Sequence, residues 1–375
     1  MIALGHRLDG APEAPVVVLS GSLGTDLTMW DPQVEPLSKR FRVLRYDLRG
    51  HGASAAPPGP YSIADLGQDL LALMDQLEIE RASLCGVSIG GMLSMWVAAD
   101  APERVERLVV CCSSAFLDPE GTYRERAALV RAQGIEPIAD AVIQRWFTPA
   151  FAAANAPLVE RMRAVLCATP PEGYAGCCEA LAAMDLRPEL AKISAPTLVI
   201  SGEDDPATPP AHGRAIAGGV RGAEFIAVAN AAHIASIERA ELVTALILRF
   251  LQPDRLGMRT RREILGDAHV DRATAAAGNF GAPFQEFITD YAWGGPWSRP
   301  GLDRRTRSAI TLAALVTLRA ENEIGMHVRA ALRNGLSADE IREILLHTAV
   351  YAGVPAANAA FAVAQRVLRE EGAVE

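Results

Sequence analysis

No stretch of this chain approaches the ~20 apolar residues that a membrane-crossing helix needs, and its longest apolar runs are broken by Arg, Asp or Pro. A membrane partner is therefore not expected. The opening Met1-Ile2-Ala3-Leu4-Gly5-His6-Arg7 lacks a positive segment followed by a long apolar core, so it does not read as a secretory signal. Aromatic residues make up only 6%, no basic stripe interleaves with them, and the formal net charge is −9, which excludes a typical nucleic-acid surface. Cysteine is absent beyond Cys178, and the six present form no C-x-x-C pair. Reduced thiols in a cytoplasmic protein are the expectation. Spacings of the H-E-x-x-H kind are missing too, so no metal is expected.

What is present is apolar content of 50% over 375 residues, enough for two cores. Short strand-like runs alternate with helical ones: Val16-Val17-Val18-Leu19, Arg42-Val43-Leu44-Arg45-Tyr46, a helical stretch at 63–77, Ala82-Ser83-Leu84-Cys85 and Leu108-Val109-Val110-Cys111. Such alternation predicts a mostly parallel sheet covered on both faces. From about 116 to 191 the pattern turns helical and rich in Ala, Arg and Glu, which predicts a helical cap over the carboxyl edge of the sheet. Strand signals return at 197–200 and 224–228, followed by an amphipathic helix at 240–251. Gln252-Pro253-Asp254 then breaks the pattern. Beyond it only helical runs appear, at 283–292, 304–319, 321–334, 337–350 and 355–369, with a capping box at Ser337-Ala338-Asp339-Glu340. The expected organisation is an α/β domain at 1–252, a boundary near 255, and an all-α domain at 258–375.

Chemistry concentrates first at Cys85-Gly86-Val87-Ser88-Ile89-Gly90-Gly91, a G-x-S-x-G turn between a strand and a helix. A sharp turn there would lift the Ser88 hydroxyl above the sheet, with glycines where larger residues would clash. A serine nucleophile needs a base, and the base an orienting acid. The strand at 197–200 runs into Ser201-Gly202-Glu203-Asp204-Asp205-Pro206, and that at 224–228 into Asn230-Ala231-Ala232-His233. Asp205 is preferred over Asp204 as the acid, and His233 as the base. Taken singly, the acids read equally as a turn and His233 as a loop histidine; their order after three strands favours catalysis. Backbone N–H groups of Ile89 and Ser22 are the candidates for the oxyanion hole. His51 is a rival base, although His-Gly turns are commonly structural, and Asp47 and Arg49 are expected to brace that turn.

These residues resemble the α/β-hydrolase family over roughly 1–252. Within it, Ser22-Leu23-Gly24-Thr25-Asp26-Leu27-Thr28-Met29-Trp30-Asp31-Pro32-Gln33 and Arg145-Trp146-Phe147-Thr148-Pro149-Ala150-Phe151 resemble the 3-oxoadipate enol-lactonases. That resemblance accounts for Ser20 where many hydrolases carry a histidine. It implies that Arg145 and Trp146 contact the acetate arm of a small lactone, with Trp146 equally readable as a cap-core residue.

In the second domain Glu323 and His327 stand four apart on one helical face, and His347 follows on the next helix. By spacing alone this is more readily an exposed surface contact than a site. However, Trp297-Ser298-Arg299-Pro300-Gly301-Leu302, the run 323–332 and Tyr351-Ala352-Gly353-Val354-Pro355-Ala356-Ala357-Asn358 resemble the 4-carboxymuconolactone decarboxylases over about 258–370. Related helical proteins work through paired thiols, which this domain lacks. The resemblance implies a cofactor-free decarboxylation, with the lactone carbonyl as electron sink, His327 as proton donor and Glu323 orienting it and raising its proton affinity. Arg299 would anchor a carboxylate and His347 would close the pocket, each also readable as a structural residue. The combined expectation is a fusion of two consecutive steps of protocatechuate breakdown, acting on small-molecule lactones, with no cofactor, and forming a homo-oligomer through the second domain. The alternatives are a hydrolase of other specificity carrying an oligomerisation domain, and a slow-turnover ligand-sensing hydrolase fold.

Overall fold

In the computed structural model, residues 2–117, 121–251 and 256–374 are described. Internal contacts divide the chain into two units, Met1–Leu251 and Gln252–Glu375. The Gln252-Pro253-Asp254 break lies outside the described residues.

The first unit is built on seven strands: β1 (His6–Asp9), β2 (Val16–Ser20), β3 (Arg42–Tyr46), β4 (Ala82–Val87), β5 (Val105–Cys111), β6 (Thr197–Gly202) and β7 (Glu224–Val228). They lie in the order β1-β3-β2-β4-β5-β6-β7, parallel except for β1, which runs antiparallel beside β3. The sequence did not predict β1: as a half-buried edge strand, His-Arg-Leu-Asp offers too little apolar content to stand out. By contrast, β4 and β6 are buried at every position, because helices cover both faces of the sheet. Register pairs Ser20 with Gly86, Val87 with Cys111 and Gly202 with Val228. The ends of these strands are thereby level, and their loops converge on one edge, where open α/β sheets bind ligands.

Helices Thr122–Gln133, Glu136–Trp146, Pro149–Ala154, Ala156–Ala168 and Pro171–Ala183 make up the inserted region, at whose base an isolated β-bridge joins Phe116 to Asp185. The insertion is seated closely against the loop after β3, since a Cβ on Gly173 would meet the Gly50 backbone at 2.3 Å.

The second unit has no strand among its described residues. The run expected at 283–292 falls across the end of the helix Asp267–Ile288 and the turn after it, and the sequence passed over Leu256–Leu265 and the earlier part of Asp267–Ile288. Gly266 separates them, Gly278 breaks helical geometry inside the second (φ 54, ψ −168), and the Ala-rich stretch between shows no apolar stripe. A π-helical turn, Thr289–Trp293, follows. Arg304–Thr317, Glu321–Arg333, Ala338–Ala352 and Val354–Glu370 then pack a core around Leu312, Ile324, Val328, Ile341 and Val367. Ser337 Oγ accepts from Glu340 N–H at 3.2 Å while the Glu340 carboxylate accepts from Ser337 N–H at 2.8 Å, the expected capping box. No described helix is long and apolar enough to cross a membrane.

Candidate active site

Ser88 sits at the end of β4 with φ 56 and ψ −121, a backbone region costly for a side-chain-bearing residue. Its surroundings hold it there. Ser88 N–H donates to Cys111 O at 3.0 Å, and its carbonyl accepts from Met92 N–H at 3.0 Å and Ser113 Oγ at 2.7 Å. Glycine is needed on both sides: a Cβ at Gly86 would lie 2.1 Å from Gly90 O, and one at Gly90 2.4 Å from Ser20 O. The helix Ile89–Asp100 starts directly after the serine, so the Ile89 N–H has no carbonyl within its helix and adds the positive end of the helix dipole.

Asp205 and His233 are brought together from the loops after β6 and β7. His233 Nδ1 lies 2.9 Å from Asp205 Oδ2. Asp205 also accepts from Ala207 N–H at 2.8 Å, Thr208 N–H at 3.0 Å and Thr208 Oγ1 at 2.7 Å. Burial alone would raise its pKa, but the charge and hydrogen bond of His233 and the Thr208 donors outweigh that and hold it below the usual carboxylate range. Asp204 is exposed on the same turn and does not reach His233.

The oxyanion expectation changes by one residue. Ser22 N–H is directed to Met29 Sδ at 3.3 Å and is not free to meet a ligand. Leu23 N–H, the next donor in the loop, has no acceptor among the described residues, and Leu23 lines the same cavity as Ser88. That loop is held by His51, whose Nε2 accepts from Gly24 N–H at 2.9 Å and whose Nδ1 donates to Arg49 O at 3.0 Å. With both nitrogens engaged and burial pushing its pKa down to about 4, His51 is a brace and not a rival base. Asp47 accepts from Leu27 and Ala53 N–H, and Arg49 pairs with Asp69, fixing the same turn. Ser20 is tied to Tyr46 by a 3.1 Å hydroxyl contact.

Above Ser88 and His233 lies a cavity of about 350 Å³, walled in part by Arg126, Arg145 and Trp146 of the inserted helices. Arg145 and Trp146 end the helix Glu136–Trp146, and their carbonyls accept from His233 N–H (3.4 Å) and Ile234 N–H (3.0 Å). Trp146 is 3% exposed, so it packs in the core and faces the cavity at once. Glu238, unremarked in the sequence, accepts from Ala232 N–H at 2.9 Å and Thr148 N–H at 3.1 Å, joining the histidine loop to the inserted region.

In the second unit the expected residues are not drawn into one cluster. Glu323 is exposed, and no hydrogen bond or ion pair joins it to His327 among the described residues, so the expected orienting contact is not made. His327 is stacked near Trp293, with ring centroids 6.5 Å apart. Burial, then the neighbouring His269, push its pKa down to about 4, opposite to the rise that a carboxylate partner would cause. The charge of Glu323 acts instead on His269, whose pKa burial and Arg261, Arg272 and Arg333 nonetheless lower. His269 lines a cavity of about 810 Å³ with Arg272, Met326 and Arg333. Arg299 borders a different cavity, and its carbonyl accepts from Arg307 at 2.8 Å. His347 is exposed against Tyr351, 5.3 Å between rings, and lines neither of these two cavities. Among the described residues no cluster of His, Cys, Asp and Glu is arranged to hold a metal.

Residues 14–240 match the family model described as alpha/beta hydrolase fold, and 282–366 match the carboxymuconolactone decarboxylase family. The chain is 40% identical over 253 residues to 3-oxoadipate enol-lactonase 2 of Acinetobacter baylyi, covering 66% of this chain and 94% of that protein. It is 47% identical over 116 residues to the 4-carboxymuconolactone decarboxylase of the same organism, covering 31% of this chain and 87% of that one. The chain belongs to both families, one in each unit. Among solved structures, the enol-lactonase of Burkholderia xenovorans LB400 superposes with a TM-score of 0.66 at 46% identity, over 67% of this chain and 97% of that one. Within the hydrolase unit, sequence reasoning missed Leu23, Glu238 and Arg126; within the decarboxylase unit it missed His269. Of these, only His269 carried a signal, as one of the seven histidines in the chain. The others depend on contacts between residues far apart in sequence.

Proposed function

We propose that the chain is a bifunctional enzyme of protocatechuate catabolism: the second unit decarboxylates 4-carboxymuconolactone to 3-oxoadipate enol-lactone, and the first hydrolyses that lactone to 3-oxoadipate. The observation that carries the hydrolytic half is the 2.9 Å His233–Asp205 contact, with His233 and a strained Ser88 lining one cavity. The relatives named for consecutive steps supply the substrates. His233 takes the Ser88 proton as the hydroxyl attacks the lactone carbonyl, and Asp205 holds the imidazole in the required tautomer. Ile89 and Leu23 N–H groups receive the developing oxyanion. Protonation of the enol oxygen by His233 opens the ring, and water repeats the sequence to free the acid. Arg145 binds the acetate arm, and Trp146 supports it.

Decarboxylation needs no external electron sink, because the electron pair left by carbon dioxide passes through the adjacent alkene to the lactone carbonyl. The substrate carries two carboxylates. Their approach raises the proton affinity of His327 and His269, which burial lowers, and His327 then delivers the proton to carbon. Glu323 acts on this pair through His269. Apolar exposure in this unit, including Val350 (77%) and Tyr351 (76%), supports assembly into a homo-oligomer through it.

One assay tests the reading: purified protein is given 4-carboxymuconolactone while carbon dioxide, enol-lactone and 3-oxoadipate are followed. Ser88→Ala is expected to release carbon dioxide and accumulate enol-lactone. His327→Ala is expected to consume supplied enol-lactone but leave carboxymuconolactone largely untouched. If the unmodified protein turns over neither compound, the proposal fails.

A further inference from the structure

Among the described residues, the cavity over Ser88 is lined by two arginines and no acid. Arg126, on the helix Thr122–Gln133, and Arg145 both line it, and no described Asp or Glu does. Neither guanidinium has a carboxylate within ion-pair distance among the described residues. Other arginines of the same inserted region contrast with this: Arg131, on the same helix, pairs with Glu172 at 2.9 Å and Glu179 at 2.5 Å, and Arg163 with Glu136 at 2.5 Å and Asp140 at 2.9 Å. Arg126 rests over the Tyr123 ring, 5.0 Å from guanidinium carbon to centroid, an arrangement that orients the group without neutralising it. Burial, then the charge of Arg126, lower the pKa of Arg145. Two like charges share a half-buried space beside the nucleophile, with no carboxylate of the described residues paired to either.

We infer that Arg126 is a charge-selecting residue of the hydrolase site, receiving with Arg145 the carboxylates of an anionic substrate and of its dicarboxylate product, so that neutral esters are disfavoured. This deepens the proposed hydrolysis and rests on Ser88 as its nucleophile. A lactone bearing one carboxylate arm gains a second carboxylate when its ring opens. Two guanidinium groups and no acid suit that product as well as the substrate, and a planar fork holds a carboxylate through paired hydrogen bonds. A positive cavity would also gather anions from solution, an attraction that salt weakens.

The test compares kcat/KM for p-nitrophenyl hydrogen succinate and for neutral p-nitrophenyl butyrate in the full-length protein. Arg126→Gln is expected to lower the anionic-to-neutral ratio by about ten- to a hundred-fold, the usual worth of a charged hydrogen bond, with the change mainly in KM. Arg126→Lys should recover part of it, and added salt should reduce the preference of the unmodified protein. A ratio unmoved by Arg126→Gln overturns the inference. Calorimetric binding of adipate against neutral adipamide gives a reading that needs neither turnover nor the glutamine variant. The unmodified protein should prefer adipate at least about ten-fold, Arg126→Lys should lose part of that preference, and equal binding of the two compounds overturns the inference. If succinyl esters show the charge preference while enol-lactone is not hydrolysed, the substrate assignment fails and the role of Arg126 stands.

Discussion

His51 and His327 are histidines held mainly in the neutral form by burial, and they respond to acid in the same sense. A group whose pKa falls from about 6.5 in the unfolded chain to about 4 in the fold binds fewer protons when folded throughout that interval. Stability is therefore unaffected by His51 above about pH 6.5 and is lost as pH drops toward 4, by up to about 3 kcal/mol. Urea unfolding of the first unit at pH 7.5 and pH 5 should show that loss. His51→Gln keeps an acceptor for Gly24 N–H without a titrating ring, and should flatten the difference between the two pH values. An unchanged pH dependence in the variant would remove His51 as its source. Asp205, whose pKa is depressed, acts lower on the scale: its contribution persists above the unfolded carboxylate range and disappears as pH falls below it.

The elbow between β4 and the helix Ile89–Asp100 is the element on which the hydrolase site depends. Gly90 lets the helix start press against the loop after β2, with room for no Cβ within 2.4 Å of Ser20 O. Gly90→Ala has no flexible side chain to displace, only backbone. It should cost about 2–4 kcal/mol, in the range of overpacking plus local strain, and abolish lactone hydrolysis. A denaturation midpoint equal to that of the unmodified protein would show that the two segments do not press together. Much of this element was legible in the sequence, because strand, small-residue turn and helix are consecutive. The helices Leu256–Leu265 and Asp267–Ile288 were not legible: the first is short and dense in Arg, and in the second alanines and glycines hide the period that marks a packed face.

On the scale of the molecule, each unit contains its own core, and exposed large apolar side chains lie mostly in the second. Val350 and Tyr351 are 77% and 76% exposed on the helix Ala338–Ala352, next to Val354 at 68%. If copies of the chain associate there, Val350→Asp with Tyr351→Asp should lower the sedimenting mass toward that of one chain and cut the decarboxylation rate by about ten-fold or more, a buried unpaired charge being strongly unfavourable in an interface. Lactone hydrolysis supplies the internal comparison. An unchanged sedimentation profile would place the association elsewhere.

The sequence by itself determined the division into an α/β and a helical part, the serine turn, and the order in which an acid and a histidine follow it. These are consequences of periodicity and of short consecutive motifs, which act locally. Only the tertiary structure decided between Asp204 and Asp205, moved the free loop donor from Ser22 to Leu23, and turned His51 from a possible base into a brace. It also left Glu323 without a hydrogen bond or ion pair to His327 and Arg126 without a paired carboxylate among the described residues. In each case the deciding atom lies on another segment, as with Met29 for Ser22, Gly24 for His51 and His269 for Glu323. Whether an N–H, a ring nitrogen or a guanidinium is free is a matter of what has already bound it, and that is known only once the chain is folded.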